Sequence, residues 1–196
     1  FSLIEAPVNN PKEFLVFCGA RGIGALGTSQ AFFPKAISRL REMASDPRWR
    51  TREGAAMAIQ SMIEKQPQRT LNELEKWIEN NNWLAMRAVA AGVAEPPLLK
   101  DKQTAKSAFE LHKKIFAKIA VAKERKSDEF KTLRQGLGYS LSVVICAVPK
   151  DGFEYMRQLA ATQDADILWI VKENLKKNRL LKSFPEEVAS TKRLLK

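Results

Sequence analysis

The stretch DPRWRTREGAAMAI occupies residues 46–59 and carries the pattern that decides the fold. It opens with an aspartate, reaches a Thr-Arg pair, and continues into small and apolar residues. Residues 81–94, NNWLAMRAVAAGVA, repeat this order with an asparagine, then Met86-Arg87, then two alanines. Apolar residues in both stretches recur every three or four positions, which is the period of one helix face. The two stretches therefore predict two similar α-helices.

Weaker copies of this pattern begin at Asn10, Asp128 and Asp164. The Asp or Asn at each start is a residue type that caps a helix by accepting from a free backbone N–H. The longest interval, before Asp128, contains an enlarged helix and a Lys/Arg-rich loop. Partner helices are predicted between the copies, each with an apolar stripe, at residues 29–44, 68–79, 102–123 and 151–162.

The recurring element resembles the second helix of a HEAT repeat. A single repeat of this kind cannot bury its own apolar face, so neighbouring repeats must stack. We therefore predict an all-α fold, a right-handed α-solenoid of about five HEAT-like helical repeats. Residues 1–196 would form a single domain, and the second helices would line a concave surface.

The charge of the chain favours a polyanionic partner. The 33 Lys and Arg residues outnumber the 22 Asp and Glu residues, which gives a formal charge of +11. Such a surplus suits nucleic acid, an anionic membrane surface or an acidic protein. No apolar run is long enough to span a bilayer, so no membrane insertion is expected. The basic residues cluster at Arg48, Arg50 and Arg52; at Lys113, Lys114, Lys118, Lys123, Arg125 and Lys126; and at Lys172, Lys176, Lys177, Arg179 and Lys182.

The remaining chemical motifs are weak. Cys18 and Cys146 lie far apart in apolar stretches, which is typical of reduced core thiols in a cytoplasmic protein. His112 has no cysteine or second histidine at ligand spacing, so neither a metal nor a cofactor is expected. Ser140 has no histidine at a spacing typical of a catalytic triad.

A Gly-x-Gly-x-x-Gly sequence at residues 22–27 has the form of a dinucleotide-binding motif. That motif requires a strand–helix–strand unit and an acidic residue about 20 positions further on. No second strand is predicted here, and the glycines fall at the small-residue positions of the first repeat. We therefore expect them to pack against a neighbouring helix.

Four side chains with chemical potential fall on three consecutive predicted second helices. Trp49 and Glu53 are four residues apart and so share one helix face. Arg87 occupies the equivalent turn of the next repeat, and Tyr139 lies on the helix after that. In a solenoid, these aromatic, acidic and basic side chains would meet along one groove.

Three passages, WRTREGAAMAIQ, WLAMRAVAAGV and LRQGLGYSLS, resemble the HEAT-like-repeat DNA alkylation repair proteins, the alkylpurine DNA glycosylase-like family. The resemblance covers residues 46–147 and implies a basic concave groove that binds duplex DNA. It also implies aromatic roles for Trp49 and Tyr139, a phosphate contact for Arg87, and a catalytic role for Glu53 in stabilising positive charge at the sugar. The family's acidic residue is an aspartate one position earlier, where this chain has Arg52, so base excision is left open.

The predicted partner is DNA, bound through its backbone. The residues predicted to contact it are Arg48, Trp49, Arg50, Trp83, Arg87, Tyr139, Lys172 and Lys176. Three alternatives stay open, and one of them is binding of RNA through the same basic face. An arginine at the position of Arg52, Arg87 and Arg134 commonly bonds to a neighbouring repeat, so these side chains would be structural. HEAT-like arrays also commonly bind proteins, so the alternative function is a non-catalytic protein-interaction scaffold.

Overall fold

A computed structural model describes residues 5–195, which form eleven α-helices, one short 3-10 helix and no β-strand. The helices are α1 (Glu13–Gly27), α2 (Phe33–Ala44), α3 (Trp49–Lys65), α4 (Pro67–Glu79), α5 (Trp83–Val93), the 3-10 helix Leu98–Lys100, α6 (Lys102–Val121), α7 (Asp128–Ala147), α8 (Pro149–Ala160), α9 (Ala165–Asn174), α10 (Asn178–Ser183) and α11 (Pro185–Lys192). The prediction of an all-α fold is confirmed.

The chain divides into two compact units, one within residues 1–93 and the other within residues 94–196. The solenoid arrangement and the single domain over residues 1–196 stay predictions, and residues 1–4 and 196 of that domain lie outside the described residues. We use the term second helices for α1, α3, α5, α7 and α9, which begin close to the five predicted starts.

In the first unit, α3 is the central helix. It packs against α1 and against α5, and α2 and α4 also pack on it. Three alanines of α3 are buried at these contacts, and the longer side chains of Ile59 and Met62 are fully buried. Burying an aliphatic side chain of this size contributes roughly 1.5–3 kcal/mol, so α3 supplies much of the stability of this unit.

In the second unit, α7 packs against α6, α8, α9 and α10, and α11 packs on α8 and α10. Asn174 is fully buried between α7 and α9. Its side-chain oxygen accepts from the Ser142 backbone N–H at 2.7 Å, and its nitrogen donates to the Leu137 carbonyl at 2.9 Å. Because buried polar groups must be hydrogen-bonded, this side chain fixes the register of α9 against α7.

The four predicted partner helices correspond to α2, α4, α6 and α8, with boundaries that differ by a few residues. Pro67, Pro149 and Pro185 are the first residues of α4, α8 and α11. Proline suits this position because the first helical N–H has no partner within the helix. These three prolines therefore begin helices.

One predicted helix cap is confirmed. The Asp164 carboxylate accepts from the backbone N–H groups of Asp166 and Ile167, at 3.0 and 3.2 Å, where α9 begins. The same carboxylate pairs with Arg125 at 2.6 Å, so it also holds the Lys/Arg-rich loop against the start of α9.

The other starts are capped differently from the prediction. Ser127 caps α7, so Asp128 lies within the first turn of the helix. A negative charge there interacts favourably with the positive end of the helix dipole. Asn82 caps α5, one residue later than predicted. Asn10 and Asp46 each accept from the backbone N–H two residues on, in the loop before the helix. Their side chains stabilise those loops and leave the helix ends without a side-chain cap.

The glycines of the Gly-x-Gly-x-x-Gly sequence lie on α1, as packing positions. A Cβ at Gly24 would lie 2.6 Å from the Ala58 Cβ on α3, and one at Gly27 would lie 2.8 Å from Met62. A Cβ at Gly22 would meet nothing within 4 Å. Two of the three glycines therefore allow α1 to approach its neighbours closely.

One prediction about the cysteines is wrong. Both thiols are free, but Cys18 is exposed, whereas a core position was expected. The reason is that α1 is apolar on most of its surface and only part of it contacts other described helices. Phe14, Leu15 and Leu26 on the same helix are also exposed. None of the described helices combines the length and apolar character needed to cross a membrane.

Candidate nucleic-acid interface

Second helices that pack together within one unit are joined by a salt bridge between an arginine and a carboxylate. The pairs are Arg50–Glu13 at 3.3 Å between α3 and α1, Arg87–Glu53 at 2.6 Å between α5 and α3, and Arg134–Asp166 at 2.6 Å between α7 and α9. Such pairs hold neighbouring helices in register. This geometry agrees with the structural role that was one interpretation of Arg87 and Arg134.

Glu53, the candidate catalytic carboxylate, is engaged by Arg87. The Glu53 side chain is 38% exposed and that of Arg87 is 19% exposed, so the pair is partly shielded from water. Burial lowers the pKa of Arg52, and the positive charge of Arg87 lowers it further. Arg52 therefore lies close to Arg87, which is itself paired with Glu53. The negative charge of Glu53 is already compensated within the protein.

The arginines near the start of α3 are bound within the first unit. Arg48 donates from Nε and Nη2 to the two carboxylate oxygens of Asp46, at 2.8 and 2.6 Å. Burial acts to raise the pKa of Asp46, but the hydrogen bonds from Arg48 lower it below its usual value. Arg52 donates to the backbone carbonyls of Asp46 and Pro47, both at 2.7 Å. These arginines have fewer donors available for a ligand than the sequence indicated.

Trp49 is half-exposed at the first turn of α3, with 50% of its surface accessible. The Arg50 guanidinium lies 4.7 Å from the centre of its ring, in a cation–π contact. Trp83 is the first residue of α5 and is partly buried. Trp49 is thus an accessible aromatic surface with a positive charge beside it, which can stack on a planar ligand.

A second aromatic and basic cluster lies in the second unit, and we call Tyr139, Lys176, Lys177 and Arg179 the Tyr139 surface. Tyr139 is 52% exposed. The Arg179 guanidinium lies 4.4 Å from its ring centre and donates from Nη2 to the phenol oxygen at 2.6 Å. Lys177 Nζ lies 5.8 Å from the same ring. The ring is held in place while one side of it remains open to solvent.

Gly138 brings α9 close to α7 beside this surface. A Cβ at Gly138 would lie 3.1 Å from the Trp169 ring and 3.3 Å from the Cβ of Glu173. Glu173 in turn pairs with Lys176. Lys176 follows the end of α9, and exposed Lys172 lies on α9 one turn earlier.

The structure brings the predicted contact residues together in two groups. Trp49 and Arg50 are in contact in the first unit, and Arg87 is joined to Glu53 there. Tyr139 and Lys176 belong to the second unit. Lys177 and Arg179 were noted only as members of a basic run, and their contacts with Tyr139 could not be read from the sequence, because about 40 residues separate the partners.

The sequence also missed a serine–histidine contact. His112 Nε2 lies 3.0 Å from Ser140 Oγ, and His112 Nδ1 lies 2.9 Å from the Ala108 carbonyl. Because a carbonyl only accepts, Nδ1 carries the proton and Nε2 accepts from the Ser140 hydroxyl. Both side chains are buried, at 0% and 2% exposed. No substrate can reach this pair, so it belongs to the core.

Comparison with protein-family models, with curated proteins and with solved structures finds no match for this chain. The resemblance to DNA alkylation repair proteins therefore rests on the three sequence passages. Within residues 5–195, no group of three or more His, Cys, Asp or Glu side chains is placed to hold a metal ion.

Proposed function

We propose that this chain binds double-stranded DNA through the phosphate backbone, as a HEAT-like solenoid with a basic concave face, and does not excise bases. The observation that carries this proposal is the Tyr139 surface, where an exposed aromatic ring is flanked by cations. Lysine and arginine side chains neutralise phosphates and release the bound counterions. This release supplies most of the sequence-independent affinity of proteins for DNA.

The positive charge is concentrated in the unit that contains this surface. Residues 94–196 hold 21 Lys and Arg against 13 Asp and Glu, a formal charge of +8, whereas residues 1–93 hold 12 against 9, a charge of +3. Within the described part of the chain, no carboxylate lies within salt-bridge distance of Lys172, Lys177 or Lys182. These cations are available to a polyanion without first breaking an ion pair.

The aromatic ring adds a contact that charge alone does not provide. A tyrosine side chain can contact the sugar and phosphate groups of a duplex, and such contacts do not depend on the base sequence. The hydrogen bond and cation–π contact from Arg179 fix the orientation of Tyr139 before any ligand binds. A preorganised ring loses less conformational freedom on binding, so the surface is suited to contact a nucleic-acid backbone.

The pairing of Glu53 with Arg87 supports binding without base excision. A carboxylate that stabilises positive charge developing at a sugar must keep its negative charge available in the transition state. Here the guanidinium of Arg87 lies 2.6 Å from the Glu53 carboxylate. We expect no release of methylated purines from alkylated duplex DNA. We also expect Glu53→Gln to bind DNA as the parent does. Release that is abolished by Glu53→Gln would show that the chain is a glycosylase.

Charge reversal at Lys172 and Lys176 tests the proposed surface. The double substitution to Glu is expected to weaken binding of a short duplex and to reduce the salt slope of log K by about 2, because about one phosphate contact per lysine is lost. The measurement is fluorescence anisotropy over a range of salt concentrations.

The matched control is the double substitution of Lys113 and Lys114 by Glu, which changes net charge equally on α6. It should weaken binding much less, because α6 is a partner helix and is not one of the second helices that are proposed to line the concave face. Equal losses in the two double variants would refute a defined DNA surface.

A protein-interaction scaffold is the second candidate, and the exposed apolar residues of α1 favour it. Phe14 and Leu26 are 61% and 56% exposed. Association through such a face is insensitive to salt, because it rests on burial of apolar area. A salt-insensitive protein complex that is lost on substituting both residues by Glu, in a chain that fails to bind duplex DNA, would favour the scaffold.

A further inference from the structure

A cavity of about 430 Å³ lies in the second unit, at the end of α7. Its apolar lining includes Leu99 of the 3-10 helix and Val143, Cys146 and Ala147 of α7. Small-molecule sites commonly occupy roughly 300–1,000 Å³ and are lined mostly by apolar groups with a few polar ones. The size and lining of this cavity fit that description, and Arg179 is its one lining residue that also belongs to the Tyr139 surface.

The charged groups of the cavity are both cationic. Lys100 and Arg179 line it, and no carboxylate does. Arg179 donates from Nη2 to Tyr139, but its Nη1 is buried and has no hydrogen-bond partner within residues 5–195. Neither Arg179 nor Lys100 pairs with a carboxylate within residues 5–195, so both positive charges are available to an anionic ligand.

We propose that this cavity binds a small aliphatic carboxylate. Its carboxylate pairs with the Arg179 guanidinium, Lys100 adds a second positive charge, and the alkyl chain packs on Leu99, Val143 and Ala147. Arginine is well suited to this role because its planar guanidinium presents several donors to a carboxylate.

The two cysteines provide a direct test. Cys146 lines the cavity, is partly buried, and has a thiol pKa that burial raises, whereas Cys18 is exposed on α1 in the other unit. The rate of alkylation of each thiol by iodoacetamide is followed by peptide mass spectrometry, without DNA, in the presence of octanoate. At four times its dissociation constant, octanoate should slow alkylation of Cys146 about fivefold, because only the free protein reacts. Alkylation of Cys18 should be unchanged.

Ligands that differ in chain length or in charge separate the contribution of the alkyl chain from that of the carboxylate. The dissociation constant measured from protection of Cys146 should be roughly tenfold lower for octanoate than for hexanoate, because octanoate buries two more methylenes. 1-Octanol should protect much less, because it lacks the charge that Arg179 recognises. Arg179→Gln should lose protection by octanoate, and Tyr139→Phe should retain it. Lys100→Gln should weaken protection without affecting the Tyr139–Arg179 contact.

Three results would overturn this inference. They are an absence of protection by octanoate below its self-association concentration, equal protection by 1-octanol, and equal slowing of Cys18 and Cys146. Because no DNA is present in the assay, none of these results bears on the proposed binding of duplex DNA.

Discussion

The His112–Ser140 contact shows how a residue with catalytic potential is used for packing. Burial lowers the pKa of His112 from 6.5 to about 4, while the hydrogen bond to the Ala108 carbonyl acts in the opposite direction. The imidazole is therefore neutral in the folded protein at pH 7. One ring nitrogen bonds to a backbone carbonyl of α6 and the other bonds to a serine of α7. The His112–Ser140 pair therefore stabilises the second unit.

This shifted pKa predicts a pH-dependent stability. The folded pKa lies below the unfolded value, so the unfolded chain binds a proton first as pH falls. The stability contributed by neutral His112 is fully present above pH 6.5 and is lost as pH falls toward 4, by about 3 kcal/mol in total. The measurement is urea unfolding at several pH values between 7 and 4.

A His112→Gln variant is the control for this prediction. Since the chain has one histidine, the variant removes every imidazole, while the carboxylates titrate in both proteins. The difference in unfolding free energy between parent and variant should shrink by about 3 kcal/mol from pH 7 to pH 4. A difference that stays constant across this range would contradict the buried, neutral state of His112.

Glycines on a single helix illustrate packing at the scale of an element. Gly24 and Gly22 are two residues apart on α1, and only Gly24 faces α3. A methyl group at Gly24 would meet both the Cβ and the backbone of Ala58, within 3 Å. Because backbone cannot rotate away as a flexible side chain can, α1 would have to move off α3.

Two matched substitutions test this contact. Gly24→Ala should destabilise the protein by about 1–3 kcal/mol, which is typical of overpacking. Gly22→Ala should stabilise it by about 0.5–1 kcal/mol, because alanine is the better helix former and its Cβ meets nothing. Urea unfolding of both variants gives the sign of each change in the free energy of unfolding. Stabilisation by both substitutions would show that α1 does not approach α3 closely.

Local features of this structure could be predicted from the sequence, whereas contacts between distant residues could not. The helices could be predicted because apolar spacing, prolines and the Asp/Asn starts are local signals, as the agreement for α3 and α4 shows. The ion pair between Arg87 and Glu53 could not be predicted, because the partners are 34 residues apart and their contact depends on how α3 and α5 pack. The exposure of Cys18 was missed for a similar reason, since apolar sequence shows what can be buried but not what covers it.

At the scale of the whole molecule, the uneven charge distribution is the feature that bears most on function. The second unit carries +8 of the formal charge of +11. Among the described residues, its lysines Lys172, Lys177 and Lys182 have no carboxylate partner. A charged surface of this kind attracts a polyanion over distances up to about 10 Å at 0.1 M salt. Affinity for duplex DNA should therefore depend strongly on ionic strength and weakly on sequence.

The most direct test is the affinity of the intact protein for a short DNA duplex at 50 and 200 mM salt. If about four phosphates are neutralised by Lys172 of α9 and the three cations of the Tyr139 surface, log K should fall with log salt at a slope near −4, a loss of roughly 10²-fold. A duplex of unrelated sequence should give the same slope. Absence of binding at 50 mM salt, or an affinity that does not change with salt, would contradict the proposal that this protein binds the DNA backbone.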